Sequence, residues 1–544
     1  AYEQLEKCLT SYRRFYGDES LPVAGTLNNR GYLSAIQHKY ADAVEDLSQS
    51  LRIHKKLLGE MDPRVFGSKL TLMQVSFLAG DSSLATNLAR ELVNFRDTEL
   101  EKNLLLDEES RLRLQRDIYA FDILAEILPQ NELADIVFRW KGAVFDSLLE
   151  DRSFTAGLTS KSAVIKLNEL VKLRKQLSIA SFTSKNSNQT TALETKISKL
   201  QRQLLQMRSK NETARDAIAR SSRGAIVETL KGGGVFVDVI HYLKINRDEL
   251  TASKQCYEVL LTMEGGATQA VRIEDSEALD QSIQLMRFAA AQGENGKLEQ
   301  AQAELSERLW QPIEKLLPEQ TSRIFLSAEG SVNFVPFAAL SNSDGSFVAQ
   351  KYPIVYVGSG RDLARKPSLE ILKNLVVVAD PLFNTAAKTS SAKEMVTMRS
   401  VEAGVFGSIN LPPLPGTKTE AEQLEVIAAG AGWDIKTATG EEATESRVRN
   451  TKKPGVLHLA THGFYLNSFS PPAGDGTRGM SVVGLNKDQD KKQNENGVDP
   501  MRASGVALAG AQQTLKLWSQ RKAPDPETDG VLTAEEVASL DLNG

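Results

Sequence analysis

Gly455-Val456-Leu457-His458-Leu459-Ala460-Thr461-His462-Gly463-Phe464 is the stretch around which the chain is organised. Its apolar run, bounded by Pro454-Gly455 and by Gly463, predicts a buried β-strand that delivers His462 to its C-terminal end. Open α/β sheets keep their chemistry at that edge. A histidine followed at once by a glycine suits a general base beside a bare backbone N–H that can donate to an oxyanion. A histidine merely hydrogen-bonded at a strand end would show the same residues, and from them alone the two readings stand level.

Working outward, Leu375-Val376-Val377-Val378-Ala379-Asp380-Pro381 predicts a central strand whose loop opens on the same kind of edge. Asp380 there would face a basic substrate side chain or cap the loop. Leu414 to Glu420 starts a helix through Leu424 and Ile427, with Thr417 as N-cap and Glu420 three residues on. Trp433 to Thr437 predicts another strand, and Thr444 caps a helix that leads into the opening stretch. Further upstream, after Gly232-Gly233-Gly234, the runs Val235–Ile240, Cys256–Leu261 and Ala270–Ile273 alternate as strands do. Cys256 reads as a small core residue. Leu298, Leu305, Leu309, Trp310, Ile313 and Leu316 mark a long amphipathic helix, Arg323–Ser327 a strand, and Val332–Leu340 a second strand interrupted by Pro336. From about residue 231 onward the pattern is that of an α/β domain.

The first 96 residues are different. Shifting the sequence by about 42 residues superposes Ala1, Leu5, Leu9 and Gly17 on Ala43, Leu47, Leu51 and Gly59, with Ala85, Ala89 and Val93 continuing the series, the mark of a helical repeat array. Asp18 to Pro22 and Glu60 to Pro63 break the chain between helices. His38 and His54 sit among polar helix residues and are expected at the surface. Residues 97–230 stay helical without the repeat. Within them, at about residues 160–222, Val164 to Leu177 and Leu193, Ile197, Leu200, Leu204, Met207 predict an antiparallel coiled-coil hairpin, split by the polar run Ser184 to Gln189. That arm would touch a partner or simply stand in solvent.

Composition narrows the function. A chain of 544 residues with 41% hydrophobic content suits several packed domains. Sixty-five Lys and Arg against seventy Asp and Glu give a net charge of -5, so no overall basic field argues for direct nucleic-acid or membrane binding. The only two cysteines, Cys8 and Cys256, make neither a disulfide scaffold nor a metal spacing, and fit a reducing, cytoplasmic compartment.

In order along the chain, SAEGSVNFVPFAAL at 327–340, VVVADP at 376–381, LPGTKTEAEQL at 414–424, GEEATE at 440–445, HLATHG at 458–463 and SGVALAGAQQT at 504–514 resemble a CHAT domain, of the caspase-HetF-associated group of caspase-like peptidases related to separase. The resemblance runs from about residue 230 to 544. The N-terminal array is similar to tetratricopeptide repeats of the long type, on Leu27 to Tyr32 and Lys39 to Ala43, a frequent pairing with CHAT domains in bacteria. The resemblance implies a fold of a helical solenoid and helical linker followed by an incomplete caspase-like α/β domain. It implies a cysteine endopeptidase with a His–Cys dyad and neither metal nor cofactor. His462 then matches the catalytic histidine and Gly463 the oxyanion donor, while His458 is structural. An acidic Asp380 would bind the substrate. The repeats would bind a regulatory protein or ribonucleoprotein, or only prop up the next domain.

In the family, the segment seen here at Asp529 to Leu542 precedes the strand with the nucleophilic cysteine in an SACxTG-like motif, and no such motif occurs in this sequence. The chain therefore reads as a fragment, inactive alone; the alternative is a non-enzymatic scaffold with a degenerate caspase-like docking domain. Ser468 to Pro500, rich in Gly, Pro, Asp, Asn and Lys, reads as a loop, either a lid near the histidine or an inert insertion.

Overall fold

A computed structural model describes residues 1–103, 111, 123–148, 187–205, 221–245, 253–365, 372–384, 410–465, 504–520 and 529–537, with scattered positions between 162 and 177 and at 540 and 542. Five helices open it: α1 (Tyr2–Tyr16), α2 (Leu21–Ile36), α3 (Tyr40–Leu58), α4 (Pro63–Leu78) and α5 (Ser82–Asn103). Each packs on the next in the chain. The repeat seen in sequence is also a repeat of backbone. Gly17 after α1 and Gly59 after α3 hold φ 81°, ψ 165° and φ 82°, ψ 161°, a region that strains any side-chain-bearing residue. Asp62 then caps α4 by accepting from the Arg64 N–H, and Pro63 fills the first turn, where a missing N–H costs nothing.

His38 is exposed as expected, but His54 is buried, its Nδ1 2.8 Å from Ser68 Oγ. The polar neighbours that suggested a surface position lie on the other side of α3, whose buried face meets α4; burial holds the His54 imidazole below its ordinary pKa. In the helical middle, α6 (Gln130–Trp140) is described in full. Ile197 and Leu204 of α7 (Ser187–Leu205) share a small apolar cluster with Leu170 and Leu177.

Next comes a five-stranded sheet in the order β3-β2-β1-β4-β5. β1 (Gly234–Ile245) runs antiparallel to β2 (Ser253–Met263), which pairs in the same way with β3 (Thr268–Ile273). On its other side β1 is parallel to β4 (Arg323–Ser327), and β4 to β5 (Ile354–Tyr356). Strand alternation puts Phe236, Ile240, Tyr242 and Leu260 on one face, against α6 and α8 (Arg223–Leu230). Val235, Val237, Val239, Val259, Ile324 and Leu326 face the other way, against α9 (Ser276–Gln292), α10 (Asn295–Leu305) and Trp310. Cys256 is a fully buried core residue of β2, and burial pushes its thiol pKa up.

A buried ion pair joins the helical middle to this sheet: Lys141 Nζ, just past α6, lies 2.5 Å from Asp238 Oδ1 of β1 and 2.8 Å from the Val239 carbonyl. Glu329, in the turn after β4, is pushed up to about 7, by burial first, which outweighs the attraction of Lys141.

The strand expected over Val332–Leu340 is absent. Two short 3-10 turns, Gly330–Phe334 and Phe337–Ala339, stand in its place, because Gly330 takes φ 58° and Pro336 can give no ladder hydrogen bond.

The remaining strands form two small sheets. β6 (Asn374–Pro381) is the middle strand of an all-parallel sheet, between β7 (Asp434–Gly440) and β8 (Val456–Ala460). β9 (Gly463–Tyr465), β10 (Ser504–Ala507) and β11 (Val531–Thr533) form an antiparallel one, in the order β11-β10-β9. The helix after β6, α11 (Pro415–Gly430), packs Ala421 and Ala428 on Leu375, Val377 and Ala379. It starts earlier than Thr417. Leu414 is its N-cap, Pro415 occupies the first turn, and the Thr417 hydroxyl instead donates to the Leu414 carbonyl at 2.8 Å. Thr444 does cap its helix, α12 (Glu445–Arg449), accepting from the Arg447 N–H. The proposed lid, Ser468 to Pro500, lies outside the described residues. Among the described residues, no helix is long and apolar enough to cross a membrane.

Candidate active site

β8 is less buried than its apolar sequence suggests. Among the described strands only β6 pairs with it, Val456 is exposed, and Ala460 is its one buried residue. Its register with β6 nevertheless does what the sequence required. Ala379 is paired with Ala460, so Asp380 and His462 leave neighbouring parallel strands at the same C-terminal edge.

At Thr461 and His462 the chain passes from the parallel sheet into the antiparallel one. Ala507 of β10 holds the chain there twice: the Thr461 hydroxyl donates to the Ala507 carbonyl, and the Ala507 N–H donates to the His462 carbonyl at 2.8 Å. The His462 side chain is half-buried. Its Nε2 lies 2.9 Å from the Pro412 carbonyl oxygen, and its ring rests against Phe383, centroids 5.2 Å apart and planes at 42°. A carbonyl can only accept, so Nε2 carries the proton of the neutral ring. Nδ1 keeps the lone pair. The imidazole is thereby set in the tautomer and orientation of a general base that works through Nδ1.

Gly463 follows on β9, opposite Val506. Because the Ala507 N–H reaches back to the His462 carbonyl, Val506 and Gly463 form a non-hydrogen-bonded pair, and the Gly463 N–H points out of the ladder. Sterics do not demand a glycine here. A Cβ would meet nothing nearer than the Gly505 carbonyl at 3.9 Å, and φ is not positive. Gly505 makes the contrast, since a Cβ there would lie 2.5 Å from the Leu532 carbonyl and 2.9 Å from Phe464 Cζ.

Asp380 is a non-glycine residue at φ 45°, just where the β6–β7 register slips. Its N–H donates to the Thr417 hydroxyl at 2.9 Å, which holds this sparsely populated conformation in place. Its side chain is half-buried. His458 sits in mid-strand on β8, with Nε2 3.1 Å from Glu420 Oε1, near enough for an ionic contact but not aligned as a hydrogen bond. Neither cysteine belongs to this edge. Cys8 is exposed on α1 and Cys256 lies in the core of β2. Among the described residues no cluster of His, Cys, Asp or Glu could hold a metal ion.

Sequence reasoning picked out His462, Gly463 and Asp380 but missed Pro412, Phe383 and Gln512. Gln512 Oε1 accepts from the Leu411 N–H at 2.8 Å, and its own N–H donates to the Phe383 carbonyl at 3.1 Å. The one available signal was Leu411-Pro412-Pro413-Leu414-Pro415, three of whose five residues lack an N–H.

A base-oriented histidine and an outward-facing amide, just past the C-terminal edge of the parallel sheet, are two of the parts that an acyl-transfer site needs. Residues 299–544 match the family model for the CHAT domain, which points, at the level of the group, to caspase-like cysteine peptidases. The match begins within α10, so β4 and β5 fall inside it while β1, β2 and β3 of the same sheet precede it. The resemblance drawn from the motifs reached further back, to about residue 230. No curated protein matches the chain.

Proposed function

We propose that the chain is the histidine-bearing part of a cysteine endopeptidase whose N-terminal helices, read as tetratricopeptide repeats, receive a regulatory protein or ribonucleoprotein in the cytoplasm. The observation that carries the reading is the Nε2–H to Pro412 hydrogen bond, which turns Nδ1 of His462 into the acceptor at the sheet edge. Nδ1 would take the proton of a cysteine thiol, and the thiolate would attack the scissile carbonyl of a protein substrate. The Gly463 N–H would donate to the oxyanion, and His462 would return the proton to the leaving amine before water releases the acyl group. Asp380, beside the histidine at the same edge, would favour a basic side chain at the cleavage site.

In this scheme neither Cys8 nor Cys256, which sit in other elements, supplies the thiol, and the 544 residues alone would not cleave. The same fact favours a second reading, a non-enzymatic scaffold whose caspase-like domain only docks partners.

In the natural protein, His462→Ala is expected to lower cleavage of a Lys- or Arg-containing protein substrate about 10²–10⁴-fold with unchanged circular dichroism. Retained cleavage would overturn the assignment of His462. Cleavage by neither protein would leave the scaffold.

A further inference from the structure

The carbonyl that orients His462 belongs to Leu411-Pro412-Pro413-Leu414-Pro415, whose leucines pack beside Phe383 and Trp518 and whose Leu414 carbonyl is held by Thr417. Three of these residues have no N–H, so this run can close few hydrogen bonds of its own. What fixes it on the side nearest Pro412 is Gln512, on the first turn of α13 (Ala511–Ser519), the helix after β10. Its side-chain oxygen takes the Leu411 N–H at 2.8 Å, one residue before the carbonyl in question. Its backbone N–H holds the Phe383 carbonyl at 3.1 Å, and Phe383 supplies the ring against which the imidazole rests. The Gly510 N–H adds a bond to the Leu382 carbonyl at 3.1 Å. Pro412 and Phe383, which touch the His462 ring, are thus both tied to one residue of the SGVALAGAQQT motif, which the proposed chemistry does not otherwise use.

We propose that Gln512 is the positioning residue of the histidine: through Leu411 it sets the Pro412 carbonyl that keeps the imidazole proton on Nε2. It never contacts substrate and acts only through the ring's tautomer and aim. In serine peptidases the orienting partner of the histidine has the same task. The inference rests on the peptidase reading for its kinetic consequence only, since the tautomer can be read in the chain as it stands.

The test uses histidine-selective ¹⁵N labelling of the 544-residue chain, which has five histidines, with His462→Ala to assign the signal. In the wild type the His462 nitrogens should report an Nε2–H tautomer. In Gln512→Leu, which keeps the bulk but removes the acceptor, they should report a mixture with Nδ1–H. Gln512→Glu, which keeps an acceptor oxygen, should restore the wild-type pattern. In the natural protein the leucine variant should lose kcat on the order of 10–100-fold, the loss typical of removing an outer hydrogen-bond partner of a metal-bound histidine, with KM little changed and the glutamate variant recovering most of it. A folded Gln512→Leu chain whose His462 stays in the wild-type tautomer overturns the proposal, whether or not the natural protein is a peptidase. A tautomer shift without any peptidase activity upholds it and overturns only the peptidase reading. If Gln512→Leu fails to fold, the glutamate variant decides, since a wild-type tautomer there supports the acceptor role and a lost one contradicts it.

Discussion

At the scale of single residues, the site depends on backbone groups as much as on side chains. His462 was legible in the sequence because an apolar run followed by His-Gly is a local pattern. Its orienting partner was not, because a carbonyl oxygen carries no residue signature and Pro412 lies fifty positions away, in a loop that long-range contacts such as Leu411 to Gln512 hold near the strand end. His54 failed for a related reason: its neighbours in sequence are polar, but helical geometry turns its own face toward Ser68. Gly463 gives the sharpest prediction at this scale. A side chain fits there without clash, and valine suits a strand, so Gly463→Val should fold with an unchanged melting temperature. With the amide's approach to substrate blocked, peptidase activity of the natural protein should fall roughly 10²-fold, the cost of one oxyanion donor. A destabilised variant, or an active one, would show that the glycine serves the fold instead.

At the scale of elements, strands with clean alternation and the breaks between the first helices were readable, but the turns after β4 were not. β1, β2, β4 and β6 stand where alternation or a continuous apolar run put them, since those patterns report burial directly. Val332–Leu340 carries a strand-like composition but bends into 3-10 turns, a choice set by Gly330 and Pro336. The same turn holds Glu329, and its environment makes a pH-dependent prediction. With a folded-state pKa raised from about 4.5 to about 7, chiefly by burial, the carboxyl binds its proton more tightly when folded. Its contribution to stability is therefore fully present below about 4.5 and is lost as the pH rises through 7. Glu329→Gln, which keeps the acceptor facing the His241 N–H, should match the wild type at pH 5 in thermal melts and exceed it at pH 8, by on the order of 1–3 kcal/mol. An equal difference at both pH values would contradict the burial argument.

At the scale of the whole chain, the five-stranded sheet joins what the sequence presents as separate parts. One core cluster takes in α3, α4, α5, α6 and one face of that sheet. Across the same boundary Lys141 reaches Asp238, Arg223 reaches the Gly266 carbonyl and the Thr268 hydroxyl, and Arg272 spans Glu126 and Glu258. The Lys141–Asp238 pair is buried on both sides, and breaking such a pair singly costs roughly 3–5 kcal/mol. None of these long-range pairs was legible in sequence, where lysine and arginine simply balance acids. The histidine edge, at the C-terminal ends of β6 and β8, is where the central proposal stands: His462 would be the base for a cysteine thiol that is neither Cys8 nor Cys256. The most direct measurement is labelling of the natural protein with a peptidyl electrophile ending in lysine or arginine, followed by mass spectrometric identification of the modified cysteine. Label on a cysteine other than Cys8 and Cys256, lost in folded His462→Ala, is the predicted result; label that falls on either of those two, or that is indifferent to His462, would contradict it.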